Sequence, residues 1–246
     1  MRNQPDTARA LCLLSAAKTI LFAVFACLLL IFAAGTGQAQ ADGTVGPADT
    51  TATAPSTPAT GGIQKRWNEV GAWGGISFNA PTLIGKTPSA RFGSLAIRYG
   101  RVLLAGKDIA FEWTVDAVPV AVLSVERFTV VPAGAGGFTV QERRENVYGA
   151  GFSPIGLKFN FRRQHKVQPF ASTTGGFLYF HEDVPVPGAT RFNFTFDFSG
   201  GVQIVNSSRR AFSVGYKYQH ISNGNRSSIN PGVDVQMIYA GFSVFQ

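Results

Sequence analysis

The segment Phe192-Asn193-Phe194-Thr195-Phe196-Asp197-Phe198-Ser199 decides the fold class, because aromatic side chains alternate strictly with polar ones along it. In a β-strand, successive side chains point to opposite faces of the sheet, so this segment would have one aromatic face and one polar face. The segment 111–116 (FEWTVD) repeats the pattern. The alternation predicts an all-β protein whose sheet has two chemically different faces.

Eight runs of this kind follow one another within residues 67–246, and no helical periodicity longer than one or two turns interrupts them. The connections after the second, fourth and sixth runs are short, whereas the other four connections are longer. In chain order the predicted strands are Val70–Asn79, Ser94–Leu104, Ile109–Leu123, Val147–Phe161, Gln168–His181, Phe192–Val205, Ala211–Ser222 and Val233–Phe245.

Strand length and loop length together predict an eight-stranded antiparallel transmembrane β-barrel with its aromatic face toward lipid. The runs reach or exceed the roughly 9–11 residues that cross a bilayer. Short turns at one end and longer loops at the other are typical of outer-membrane barrels. A soluble lipid-binding barrel is the alternative, and it explains the alternation within strands but not the alternation between loops. Eight strands enclose a narrow interior that side chains fill, so the pattern does not favour a pore.

Residues 1–41 have the layout of a secretory signal peptide. Three basic residues accompany the uncharged apolar run 19–34, and Ala39-Gln40-Ala41 provides a cleavage site. An uncleaved membrane anchor is the alternative, for which the run is short. Both cysteines lie in this leader, so the exported chain would contain no disulfide. Residues 42–66, rich in Thr, Ala and Pro, are predicted to form a flexible linker before the barrel at 67–246.

The charge balance favours a lipid surface over nucleic acid. The whole chain has a net charge of +8, and the leader contains three basic residues and one acidic residue, which leaves +6 for the exported part. The basic residues are dispersed, without a stripe of interleaved aromatic and basic side chains. An exported basic protein would instead meet anionic lipid or lipopolysaccharide phosphate in the outer membrane.

A base, a hydroxyl and a carboxylate lie close together in the last two predicted strands. His220 and Ser222 share the apolar face of their strand near its outer end, and Asp234 begins the next strand. Residues i and i+2 of a strand are about 6.5–7 Å apart, so the imidazole could accept the serine proton. A carboxylate could then orient the imidazole. The face on which Asp234 lies stays open, and solvated rim residues would give the same spacing.

The pattern His220-Ile221-Ser222-Asn223, followed by Asn230-Pro231-Gly232-Val233-Asp234, resembles that of the lipid A 3-O-deacylase family. The resemblance implies an eight-stranded outer-membrane barrel that hydrolyses the ester linking a 3-hydroxyacyl chain to the lipid A glucosamine. Ser222 would be the nucleophile, His220 the general base and Asp234 the orienting acid of a triad that faces the outer leaflet. Asn223 and Asn230 would lie around the oxyanion. The chemistry requires no cofactor.

One residue departs from the family pattern. The best-known family member has Glu where this chain has Asp234, whose side chain is one methylene shorter. The two strands must therefore approach more closely, or the pairing with the imidazole loosens.

Other polar groups at the predicted outer loops could also contact a ligand. Arg143 and Arg144, in the predicted loop 124–146, could hold lipid A phosphates, although a solvated loop would contain the same residues. His181-Glu182-Asp183 could bind a cation, but such a triplet is more often solvated, and no spacing predicts a zinc site. A structural or adhesive barrel without turnover is the alternative function, and the sequence leaves dimerisation open.

Overall fold

A computed structural model describes residues 62–246, which form a closed antiparallel barrel of eight strands. Each strand pairs with its neighbours in the chain, and the first closes on the last. The strands are β1 (Asn68–Asn79), β2 (Arg91–Ala105), β3 (Ile109–Ala133), β4 (Gly137–Phe161), β5 (Val167–Val184), β6 (Thr190–Val205), β7 (Arg210–Ser222) and β8 (Val233–Phe245). The predicted fold is confirmed, and six strands end within three residues of their predicted bounds. The predicted signal peptide lies outside the described residues.

The predicted outer loop 124–146 is wrong, because β3 and β4 continue through it as a two-stranded hairpin. The two strands meet at a short 3-10 turn, Gly134–Gly136. Val130 pairs with Val140 in this extension, so β-branched residues support it. Its charged residues pair across the strands: Arg127 Nε lies 3.2 Å from Glu145 Oε2.

The exterior of the barrel is apolar, as predicted for a barrel surrounded by lipid, and the interior combines buried polar and charged groups with an apolar cluster that includes Phe92, Leu123, Phe180 and Met237. Large apolar side chains stay exposed around the wall, among them Val70, Ile76, Leu95, Ile97, Phe194, Phe198, Phe212, Val214, Tyr216, Ile238 and Phe242. Polar and charged side chains are buried inside, among them Glu69, Arg98, Glu112, Asp116, Lys158, Asn160, Gln168, Asn193, Asp197, Gln203 and Lys217. This inversion of the usual burial pattern confirms the assignment of faces made from the Phe192–Phe198 alternation.

Ion pairs connect buried charges of the interior. Lys158 Nζ lies 3.0 Å from Glu69 Oε2 and 3.5 Å from Glu112 Oε2. Arg98 donates two hydrogen bonds of 2.7 Å to the Asp116 carboxylate. A cavity of about 20 Å³ lies among these groups, which is room for about one water molecule. Side chains therefore fill the part of the interior that lies among these pairs.

The two ends of the barrel differ in their connections. Three short turns (106–108, 162–166 and 206–209) lie at the end that carries the start of β1 and the end of β8, called here the turn end. Ile63, before β1, is buried at this end against Val102 and Phe245. The connections 80–90, 134–136, 185–189 and 223–232 lie at the opposite, loop end. None of the helical segments among residues 62–246 is long and apolar enough to cross a membrane.

Candidate functional site

Strand β7 holds the predicted base and nucleophile in a fixed register. Its pairings with β6 and β8 run along its whole length without a register shift. His220 lies opposite Phe196 on one side and opposite Asp234 on the other. Because directly opposite residues of an antiparallel pair share a face, the register places Asp234 on the same exterior face as His220. The face that the sequence left open is therefore settled.

His220 and Asp234 form a close, buried pair near the loop end. His220 Nδ1 lies 2.6 Å from Asp234 Oδ1, and the Asp234 side chain has no exposed surface. The Phe196 ring packs beside the imidazole, with a centroid separation of 5.2 Å. A carboxylate at Nδ1 accepts the proton of that nitrogen and leaves Nε2 as the basic atom. The shorter acid therefore does not loosen the pairing with the imidazole.

Ser222 lies on the same exterior face, two residues beyond His220. It is opposite Phe194, whose side chain is 46% exposed on the barrel wall. The serine is partly exposed, and within residues 62–246 its hydroxyl makes no hydrogen bond to His220. Hydrogen bonds between catalytic groups are often long without substrate and shorten when it binds. The structure thus brings the His220 imidazole and the Asp234 carboxylate into contact and places Ser222 on the same face, two residues farther along β7.

Asn223 and Asn230 connect the two ends of the loop between β7 and β8. The Asn223 backbone N–H donates to Asn230 Oδ1 at 3.1 Å, and its Nδ2 donates to the Ile229 carbonyl at 2.9 Å. Asn230 Nδ2 donates to Asn225 Oδ1 at 3.0 Å. Each side-chain amide nitrogen carries a second hydrogen, so both groups keep one donor beyond these bonds. Their contact with an oxyanion stays a prediction.

The loop between β1 and β2 contributes a group that the sequence did not indicate. The backbone N–H groups of Ile84 and Gly85 both donate to Asp234 Oδ2, at 2.7 and 3.0 Å. The acid therefore accepts a hydrogen bond on each oxygen, one from His220 and the others from the loop. No sequence pattern identifies this contact, because backbone donors carry no side-chain signature and lie about 150 residues away along the chain.

The other predicted contact residues lie on strands away from His220. Arg143 and Arg144 are both exposed, and Arg144 donates to the Ser89 carbonyl at 3.0 Å and pairs with Glu126. His181 Nε2 lies 3.3 Å from Glu182 Oε1, and both side chains are about half exposed. Among residues 62–246, no group of three or more His, Cys, Asp or Glu side chains could hold a metal ion.

A shallow apolar groove of about 490 Å³ runs along the exterior wall below the site. Ile238, one of its lining residues, lies four positions after Asp234 on β8, which corresponds to about 13 Å along the strand. The groove is lined by residues of β1, β2, β3, β7 and β8, including Gly74, Gly93, Leu95, Val120 and Val214.

Two comparisons address the family. A protein-family model described as "Lipid A 3-O-deacylase (PagL)" matches residues 74–243, which is more than half of the chain. No curated protein matches the chain significantly. The matched region includes every residue of the site described above.

Several solved structures are similar to this chain. The outer membrane enzyme PagL has 15% sequence identity and a TM-score of 0.48, with 70% of this chain and 97% of that chain covered. Neisserial surface protein A (NspA) has 16% identity and a TM-score of 0.41, with 72% and 96% covered. OprG from Pseudomonas aeruginosa has 10% identity and a TM-score of 0.41, with 76% and 98% covered.

Proposed function

The chain belongs to the lipid A 3-O-deacylase family, and from this premise we propose that it hydrolyses the ester of a 3-hydroxyacyl chain on lipid A in the outer membrane. The observation that carries the proposal is the buried His220–Asp234 pair, with Nδ1 2.6 Å from Oδ1, on an exterior wall that is otherwise apolar. A polar pair on a lipid-facing wall is costly unless it has a function. The neighbouring Ser222 supplies the one group that this pair lacks for ester hydrolysis.

Ser222 acts as the nucleophile in the proposed reaction. His220 Nε2 takes the hydroxyl proton while Oγ attacks the acyl carbonyl carbon, and Asp234 stabilises the imidazolium that forms. The tetrahedral intermediate collapses, the ester bond breaks, and the imidazolium returns its proton to the departing sugar hydroxyl. A water molecule then attacks the acyl-enzyme with the same base and releases a free 3-hydroxy fatty acid. The reaction consumes one water molecule and requires no cofactor.

The position of the site favours a substrate that is itself held in the membrane. Ser222 is on the outer face of the barrel near the loop end, so a lipid of the surrounding leaflet reaches it sideways. A soluble ester would have to compete with lipid for an apolar wall. The exterior groove that contains Ile238 lies on the same wall and offers an apolar surface to the lipid that surrounds the barrel.

Two sets of polar groups have proposed supporting roles. The second amide hydrogens of Asn223 and Asn230 would stabilise the oxyanion, because donors aimed at developing negative charge lower the barrier. Arg143, exposed on the hairpin of β3 and β4, would contact a lipid A phosphate. Arg144 already pairs with Glu126, so its contribution to phosphate binding would be smaller.

Mass spectrometry of lipid A tests the proposal. The full chain and its Ser222→Ala variant would be expressed in a Gram-negative host whose lipid A carries an ester-linked 3-hydroxyacyl chain. The wild type should remove that chain, and Ser222→Ala should leave it in place. Ser213→Ala is a matched control, because Ser213 lies on the same strand and its hydroxyl donates to the Gly241 carbonyl at 3.4 Å.

Each outcome has a distinct meaning. Unchanged lipid A in cells that contain folded wild-type protein would exclude the hydrolase and favour a structural or adhesive barrel. Deacylation by folded Ser222→Ala would reject the nucleophile assignment while leaving the activity intact. Heat-modifiable migration on a gel shows whether each variant has folded.

A further inference from the structure

Residues 84–87 of the loop between β1 and β2, called here the strap, fold across the exterior of the β7–β8 hairpin. Lys86 N–H donates to the Pro231 carbonyl at 2.6 Å, and the Thr87 hydroxyl donates to the Gly232 carbonyl at 2.7 Å. Together with the two amides that reach Asp234, the strap makes four hydrogen bonds to the segment 231–234. A loop that is joined to neither β7 nor β8 thus encloses the acid of the proposed triad.

Gly85 allows this close approach because it has no side chain. A Cβ atom at this position would lie 2.8 Å from the Val233 nitrogen and 2.9 Å from the Gly232 carbonyl carbon, both of them backbone atoms. Contacts shorter than 3.0 Å to backbone cannot be relieved by rotating a side chain, so the strap would have to move outward. Glycine is therefore required here by the packing of two backbones against each other.

Gly232 completes the enclosure on the side of the imidazole. Its φ angle is +64°, a conformation that favours glycine, and a Cβ atom there would lie 3.2 Å from His220 Cε1. The Cα atom of Gly85 lies 3.3 Å from the position of this hypothetical Gly232 Cβ atom. The strap, Gly232 and the His220 imidazole therefore pack closely together around Asp234.

We infer that the strap is a positioning element that fixes the orientation of the Asp234 carboxylate and, through it, the tautomer of His220. This inference rests on the proposed function for its kinetic consequence, but its effect on His220 can be measured without turnover. Two amide donors hold Oδ2, so the carboxylate cannot rotate about its χ2 angle without losing both hydrogen bonds. Oδ1 then stays directed at Nδ1, and Nε2 stays unprotonated and available to the Ser222 proton.

The loop that contains the strap is itself held just beyond the strap. Arg144 Nη1 donates to the Ser89 carbonyl, two residues after Thr87, at 3.0 Å. Arg144 also pairs with Glu126 across the β3–β4 hairpin. The β3–β4 hairpin therefore holds the loop that contacts Asp234. Arg144 thus has a structural role in fixing this loop.

Two variants perturb the strap without changing the triad. Gly85→Ala moves the strap away from Asp234, and we expect kcat on purified lipopolysaccharide in detergent micelles to fall about ten- to a hundredfold. KM should change less than about twofold, because the strap acts on the acid and not on the lipid. Thr87→Val removes one neutral hydrogen bond to Gly232 at nearly constant volume, and we expect a loss in kcat of up to about fivefold.

The matched control is Gly134→Ala at the tip of the β3–β4 hairpin. A Cβ atom there has no heavy atom within 4 Å, so the same substitution should leave kcat at the wild-type value. Heat-modifiable gel migration would confirm that each variant has folded.

The second measurement is the nitrogen NMR spectrum of protein labelled with ¹⁵N-histidine in micelles. His165→Gln and His181→Gln variants identify the His220 signals. We expect wild-type His220 to be the Nδ1–H tautomer, and Gly85→Ala to show an increased Nε2–H population. A merely structural role of Gly85 would lower the amount of folded protein without changing this ratio.

The results separate the two proposals. A folded Gly85→Ala protein with wild-type kcat and an unchanged tautomer would overturn the role of the strap, even if the wild type is fully active. Lost turnover with an unchanged tautomer would overturn it as well, since the strap would then act by another route. An inactive wild type whose tautomer still changes in Gly85→Ala would reject the hydrolase proposal and retain the strap.

Discussion

Asp234→Asn tests how the acid is held, because the structure dictates which way the new amide must point. In the native protein, Oδ2 accepts hydrogen bonds from the Ile84 and Gly85 amides, and Oδ1 faces His220 Nδ1. An asparagine has one oxygen and one NH2 group, so only one of these two sides can keep an acceptor. If the NH2 group faced the strap, its hydrogens would face the N–H donors of Ile84 and Gly85, which lie 2.7 and 3.0 Å from Oδ2 in the native protein.

The energy difference between the two orientations of the asparagine amide follows from those two contacts. An NH2 group that faces the strap leaves the buried Gly85 N–H and the partly buried Ile84 N–H without an acceptor, which costs about 1–3 kcal/mol for the first and less for the second. The asparagine oxygen therefore stays with the strap, and its NH2 donates to His220 Nδ1. Nδ1 becomes an acceptor, and the proton moves to Nε2, the atom that accepts the Ser222 proton in the proposed reaction. At 2 kcal/mol only about 3% of the protein keeps the productive tautomer, and the lost imidazolium stabilisation brings the expected decrease in kcat to about 10³–10⁴-fold.

The assay measures 3-hydroxy fatty acid released from lipopolysaccharide in micelles by the purified wild type and two variants. Asp234→Glu keeps the charge but inserts a methylene of about 1.5 Å into a site with no exposed surface, so we expect about a ten- to hundredfold loss. The asparagine variant, which is closer to the native residue in size, should be the less active of the two. An asparagine variant that is folded and keeps more than about a tenth of the wild-type kcat would refute the reasoning, since the strap would then not have fixed the amide.

Two further predictions concern the barrel that carries the site. Lys158→Met leaves Glu69 and Glu112 without their shared cation inside the barrel. We expect the free energy of unfolding, measured by urea titration, to fall by about 3–5 kcal/mol. Lys166→Met, in an exposed turn, should change this free energy little. Ile238→Arg places a charge on the exterior wall near the bilayer midplane, and we expect it to lower the free energy of unfolding by about 2–4 kcal/mol. Phe138→Arg, at the exposed hairpin tip, should lower it by almost nothing. An equal loss in both members of either pair would contradict the assignment of that face.

The faces of the barrel could be predicted from the sequence because alternation has a period of two, and most strands preserve it. Phe192, Phe194, Phe196 and Phe198 identify the exterior wall of β6, and the parity of β7 placed His220 and Ser222 on the same wall. β8 gave no such signal, because Val235, Met237 and Tyr239 are as apolar as the opposite set. There the structure was needed, and the register between His220 and Asp234 supplied the missing direction.

The sequence predicts a loop at 124–146, where the structure has the hairpin of β3 and β4. Arg127, Glu126, Arg144 and Glu145 look solvated when each strand is considered alone, but they form ion pairs between the two strands. Cross-strand pairing depends on register, which a single strand does not reveal. Charge patterning predicts exposure correctly in this segment, since many of its side chains are exposed, but it does not predict the absence of a strand.

The strap, more than the spacing of β7 and β8, explains why residue 234 is an aspartate and not a glutamate. Directly opposite residues in an antiparallel pair have Cβ atoms about 4.5–5.5 Å apart, so an aspartate on β8 reaches Nδ1 without unusual strand geometry, and the observed 2.6 Å shows that it does. A longer acid would have to fold its extra methylene into the space between the imidazole and residues 84–87, which Gly85 and Gly232 already fill. With backbone amides this close, the site selects the shorter carboxylate. A barrel with glutamate at this position would therefore need a strap that lies farther from β8, and a double variant that combines Asp234→Glu with Gly85→Ala should lose less activity than the two single losses multiplied together.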